Sequence, residues 1–190
     1  MTLIKIKHQL LDSSFFIPNW PVKYLFLGTF NPKGGETVPY FYGRNRNQAW
    51  KLLSEIFQTE LNPNSKVFFD KLEKLGIACM DMIQVVELDE TLKEFVIGKG
   101  YSDSKIINNS VKRIYNSENI IDVIKKNPGI KVYSTWGKGA NLKNWKNEIT
   151  KIEKINPIIK LVSPSMVAKV PEGAEKYEYM ISNWKNDISL

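Results

Sequence analysis

Apolar positions along this chain come in short runs and in longer stripes, and the two alternate. The runs are Tyr24–Leu27, Ile77–Ile83, Ile130–Ser134 and Pro157–Val162. Each is bounded by turn formers, and a short continuous apolar run of this kind predicts a strand buried on both faces. The stripes recur at helical spacing. Ala49, Trp50, Leu52, Leu53, Ile56 and Phe57 form one, with Asn47 placed to cap its start. Val67, Phe68, Leu72 and Leu75 form a second, in a helix from about Lys66 to Leu75 that Gly76 is placed to end. A third helix near Asn119 to Lys126 is stopped by Asn127-Pro128-Gly129. Leu142, Trp145, Ile149 and Ile152 mark a fourth, and Ala174, Tyr177, Met180, Ile181 and Trp184 a last one.

Strands alternating with helices predict a three-layer αβα sandwich around a central four-stranded, mainly parallel sheet. With 190 residues and no internal repeat or linker, the chain is expected to be one domain over residues 1–190. Two segments carry no usable period. Met1 to Val22, with Phe15, Phe16, Ile17, Pro18 and Pro21, is expected to be an irregular arm, and its His8, isolated among lysines and leucines, to be a surface residue. Glu87 to Ser104 is expected to be a surface loop, from Gly98, Gly100 and Ser102-Asp103-Ser104, with Asp103 or Ser104 capping a helix that begins at Lys105. Asp81, between Met80 and Met82, falls near the carboxyl end of the second strand.

Right-handed crossovers put the loops after parallel strands on one edge of the sheet, where open α/β folds bind ligands. Those loops are Gly28–Asn47, Asp81–Ser104, Ser134–Gly139 and Ser163–Val170. The first is the outstanding one, because βα connections ordinarily run about 2–6 residues and long ones are more often functional. Its Gly34-Gly35 is not followed by GxxxxGK[ST], so nucleotide hydrolysis is poorly supported.

Lys and Arg total 27 against 20 Asp and Glu, a net charge of +7 that favours polyanionic partners, DNA among them, although a lysine-rich composition alone produces the same balance. The single Cys79 excludes an internal disulfide and a four-cysteine cluster, and its apolar neighbours mark it as buried filler. No apolar run approaches the ~20 residues of a membrane span. A cytoplasmic monomer without membrane contact is expected.

The ordered motifs resemble those of the uracil-DNA glycosylase superfamily, nearest its hypoxanthine-DNA and mismatch-specific uracil-DNA glycosylase branches. They are Gly28, the turn Asn31-Pro32-Lys33-Gly34, the pair Phe41-Tyr42, Asn47 three residues before Trp50, Gly76-Ile77-Ala78 to Asp81, Ser102-Asp103-Ser104, and Ser163-Pro164-Ser165 with Met166-Val167. They span about Phe16 to Trp184. The uracil-specific enzymes carry an Asp in the first motif and a His in the second, and neither stands at those places here. Phe30 occupies the position of the mismatch branch's Asn, with Asn31 one residue late, and Ala49 replaces the Phe before the motif's Trp.

The resemblance implies a monofunctional DNA glycosylase that flips a deaminated base, hypoxanthine or uracil, out of the duplex and hydrolyses its N-glycosidic bond without metal or cofactor. The transition state is oxocarbenium-like, so a positioned water and donors to the departing base are required rather than a strong nucleophile. Asn47 is the first choice for positioning the water and Asn31 the second. Tyr42 is the expected stacking face for the base, or else a core aromatic. Phe30 helps through its backbone or ring, beside Gly28. Ser163 and Ser165 are donors to base or phosphate, or plain turn residues. Met166 and Val167 are the apolar wedge, and Lys169, Arg44, Arg46 and Lys33 are the phosphate contacts, or solvated surface. The alternatives are a nucleic-acid-binding member of the same fold without chemistry, and a glycosidase or transferase acting on free nucleosides.

Overall fold

Strand β1 (Leu3–Lys7) opens the chain, and β2 (Tyr24–Gly28), α1 (Ala49–Ile56), α2 (Phe68–Leu75), β3 (Ile77–Asp81) and β4 (Ile83–Asp89) follow. After them come α3 (Glu94–Ile97), β5 (Lys112–Tyr115), α4 (Ser117–Lys126), β6 (Lys131–Ser134), α5 (Lys146–Glu153), β7 (Ile158–Lys160) and α6 (Lys176–Asp187). Single 3-10 turns lie at Glu90–Leu92 and Lys143–Trp145. The computed structural model describes residues 2–97, 106, 111–139 and 143–190. The expected loop signals at Gly98, Gly100 and Ser102-Asp103-Ser104, the helix start at Lys105 and the apolar Leu142 lie outside those residues.

The central sheet has the order β3-β2-β6-β7 and is parallel throughout. Helices flank it as a three-layer αβα sandwich, α1 packing on α6 and α4 on α5. Every residue of β3 is buried, as the unbroken apolar run requires. Phe26 of β2 stacks between Tyr133 of β6 and Trp184 of α6, with ring centroids at 5.1 and 6.1 Å. A fully buried Trp of this kind is worth about 3–5 kcal/mol against alanine. Gly76 ends α2 at φ +68°, and its carbonyl accepts the N–H groups of Lys23 and Tyr24, which seats the start of β2 beside β3. Val67, expected to face inward, is 48% exposed and precedes that helix.

A second sheet, β1-β4-β5, is antiparallel and was not expected. The apolar run from Ile77 breaks at Met82, whose N–H bonds the Gly28 carbonyl while that of Ile83 bonds Thr29. The chain then leaves the parallel sheet and continues as β4, so the described part of the expected loop, Glu87 to Ile97, is strand, a 3-10 turn and a short helix rather than open loop. The amino-terminal arm supplies β1, with Lys5 opposite Glu87. Glu87 in turn lies opposite Lys112 of β5. Its carboxylate binds both lysines, at 2.8 and 2.6 Å, and hydrogen bonds from Lys112 and then Lys5 bring its pKa down to about 2. Among the described residues no helix is long and apolar enough to cross a membrane.

Candidate active site

The order of the parallel sheet reverses direction between β2 and β6: the chain steps from β2 outward to β3, then returns to the other side of β2. Such a switch point opens a crevice at the carboxyl ends of its strands. Leu27 and Ser134 face each other there, and the Thr135 N–H and hydroxyl both reach the Leu27 carbonyl.

At the same level Gly28 lies in register with Asp81 of β3. A Cβ built on Gly28 would meet Asp81 Oδ1 at 2.2 Å and the Tyr42 hydroxyl at 3.1 Å, so only glycine lets the carboxylate lean across the strand. Asp81 Oδ2 accepts hydrogen bonds from His8 Nε2 at 2.9 Å and from Asn31 Nδ2 at 3.0 Å. His8 Nδ1 accepts the Leu10 N–H, which places the imidazole proton on Nε2, facing Asp81. Asn116 Nδ2 donates to the Asp81 backbone carbonyl. Asp81 Oδ1 and Asn31 Oδ1 have no hydrogen-bond partner among the described residues.

His8 is therefore not a surface residue. It is 1% exposed, boxed by Phe16, Phe30 and Phe41, and bonded to a residue 73 positions away. The cause is strand pairing. β1 runs antiparallel to β4, the His8 N–H bonds the Gln84 carbonyl, and β4 begins just after Asp81. One signal was legible: Ile4, Ile6 and His8 share a face at the strand period, which puts the imidazole on the apolar side.

The arm also zips to the first loop. The Gln9 N–H bonds the Asn31 carbonyl, and Lys33 N–H bonds that of Lys7. The Gln9 amide spans Pro32, Glu36 and Val38. Asn31, one residue late for the motif, thus faces the strand end after all, because the pairing with the arm sets its direction.

Tyr42 is not an open stacking face. Its ring is 9% exposed and meets Trp50 edge-on, and its hydroxyl lies 3.1 Å from Thr135 Oγ1. Its φ of +58° is left-handed, a conformation that costs a bulky residue about 1–3 kcal/mol and persists only where the surroundings impose it. Burial above all, and then the neighbouring Cys79 and the Asp81 carboxylate, raise its pKa well above that of a free phenol, so the group stays a neutral hydroxyl. The Phe30 ring is 2% exposed against His8, and its carbonyl receives Arg44 Nη2 at 3.4 Å. The ring of Phe30 belongs to the core.

The first and last loops are sewn together. Asn47 and Ser165 form an antiparallel bridge, Gln48 N–H bonds the Pro164 carbonyl at 2.8 Å, and Met166 N–H bonds that of Arg46 at 2.9 Å. Gln48 holds the N-cap position, while Asn47 Oδ1 accepts the Ala49 N–H at 2.9 Å, so the expected capping bond comes from one residue earlier. Ser163 and Ser165 accept backbone N–H groups of Ser165 and Val167, which leaves each hydroxyl proton to donate elsewhere. Beyond the seam Met166 and Val167 are 40% and 71% exposed. Arg46 and Lys169 are exposed alongside, and Lys176 Nζ bonds the Met166 carbonyl. Lys33 is exposed beside the arm.

Comparison of the chain with family models, curated proteins and solved structures gave no match.

Proposed function

We propose that the protein is a monofunctional DNA glycosylase of the uracil-DNA glycosylase type, releasing hypoxanthine or uracil from a flipped nucleotide. The seam between the first and last loops carries this reading. It holds the exposed apolar pair Met166 and Val167 at the carboxyl edge of a parallel sheet, with Arg46 and Lys169 beside it. An apolar wedge flanked by cations suits a duplex from which one nucleotide has been extruded, the cations meeting phosphates and the wedge filling the gap.

The asparagines divide the remaining work. Asn31, anchored to Asp81 through Nδ2, keeps Oδ1 to accept a hydrogen bond from the attacking water. Asn47 commits Oδ1 to Ala49 and keeps Nδ2 to donate to the departing base. The Ser163 and Ser165 hydroxyls add donors. On this reading the chain works as a monomer on cytoplasmic DNA, with no metal or cofactor.

The burial of Tyr42 and Phe30 favours a second reading, a nucleic-acid-binding protein of the same fold that performs no chemistry. It predicts salt-dependent DNA binding without base release, and assays of both on one preparation separate the two.

If Val167 fills the emptied stack, Val167→Ala should slow base release from paired substrates by about tenfold, since unstacking costs a few kcal/mol that a wedge offsets. Release from single strands, which need no wedge, should stay nearly unchanged. Equal losses on both, or none, would remove that role.

A further inference from the structure

Water attack at C1′ builds positive charge on the sugar, and the asparagine and serine groups described above are neutral. Among the described residues Asp81 is the one buried carboxylate, and it stands at this sheet edge. We propose, on the basis of the glycosylase reading, that Asp81 is a catalytic residue that faces C1′ through Oδ1, and that His8 is its positioning residue. In the step, a C1′–O bond forms and the C1′–N bond breaks, its electron pair leaving on the base. The water proton passes to Asp81 Oδ1 and then to solvent, which protonates the departing base.

Several observations converge on Asp81. Its Oδ2 is fixed by two donors, so the orientation of Oδ1 is set before any substrate arrives. Oδ1 occupies the space over Gly28 at the strand end and has no partner among the described residues. Asn31 is held on the same carboxylate, which brings a water acceptor and a proton acceptor together. The Asp81 side chain is 3% exposed, and charge shielded from bulk water acts more strongly on a developing cation than charge in solvent. The imidazole, boxed by phenyl rings on the far side, cannot leave the carboxylate without breaking the core.

The test compares two duplexes that differ at one nucleotide. One carries a pyrrolidine abasic analogue, cationic where C1′ becomes cationic, and the other the uncharged tetrahydrofuran analogue. Wild-type protein should bind the pyrrolidine duplex about tenfold or more tightly, given a nearby carboxylate in a shielded site. Asp81→Asn, whose amide oxygen can still accept from His8 and Asn31, should reduce that preference to about twofold or less. Affinity for the tetrahydrofuran duplex should change little, which a merely structural role for Asp81 would not allow.

Equal affinities of the wild type for the two duplexes overturn the assignment even if Asp81→Asn fails to fold. A preference that survives Asp81→Asn overturns it as well. Base release assayed on the wild type keeps the two proposals apart. Release together with a surviving preference removes only the role of Asp81, whereas no release removes the glycosylase reading and the water step with it.

Discussion

His8→Ala should destabilise the protein by about 3–5 kcal/mol, because removing one partner of a buried pair strands the other and leaves a cavity. The imidazole is 1% exposed, its Nε2 donates to a carboxylate that is itself shielded, and its ring packs on Phe16, Phe30 and Phe41. For a chain of this size each kcal/mol moves the melting temperature by about 2–4 °C, so a fall of roughly 6–20 °C is expected. Asp12→Asn, on an exposed residue of the same arm, should stay within about 0.5 kcal/mol. Urea unfolding of the variants, compared by midpoint at constant slope, checks this. A loss below about 0.5 kcal/mol for His8→Ala would return the histidine to the surface.

Asn31→Ala should lower the rate of base release under single-turnover conditions by about tenfold or more and also cost stability, since it removes both a water contact made in the transition state and a donor to the buried Asp81 carboxylate, while the DNA affinity of the folded protein stays nearly unchanged. The amide is held at 3.0 Å on Asp81 with its oxygen available, the arrangement a water nucleophile needs. Asn47→Ala should behave differently. It removes the acceptor of the Ala49 N–H at the start of α1, a capping contact worth about 1 kcal/mol. Its effect on release should be the smaller of the two. The sequence ranked Asn47 first, on the motif, its place at the loop's end and the register of Asn31, and the glycosylase proposal reverses that order because Asn47 spends its oxygen on the helix while Asn31 does not. If Asn47→Ala abolishes turnover and Asn31→Ala spares it, the original order stands.

The parallel sheet was legible because unbroken runs such as Ile77-Ala78-Cys79-Met80 leave no solvent face for a helix or an edge strand. The helices were legible from period and punctuation, Gly76 at φ +68° being the clearest stop. The antiparallel sheet was missed because its strands mix charged residues with few buried ones, β5 burying none of its residues fully, and short segments of that kind resemble loop. Leu3 to Lys7 buries only Ile6 fully. That omission hid the site, since His8 reaches Asp81 only through the pairing of β1 with β4. The first loop was singled out by its length, and the last loop by its motif, but nothing in one dimension shows that Asn47 bridges Ser165. Tyr42 was misplaced for a related reason: aromatic identity gives stacking capacity, whereas a left-handed backbone and the bond to Thr135 turn the ring into the core.

Base release from damaged duplexes tests the central claim most directly. Purified full-length chain is incubated in excess over duplexes containing uracil or hypoxanthine, each paired and mispaired, and then treated with alkali to cut abasic sites. A monofunctional glycosylase yields alkali-dependent breaks at the modified position and no breaks without alkali. Salt-sensitive binding to the same duplexes with no alkali-labile site on any of them would contradict the account and leave a nucleic-acid-binding protein in its place.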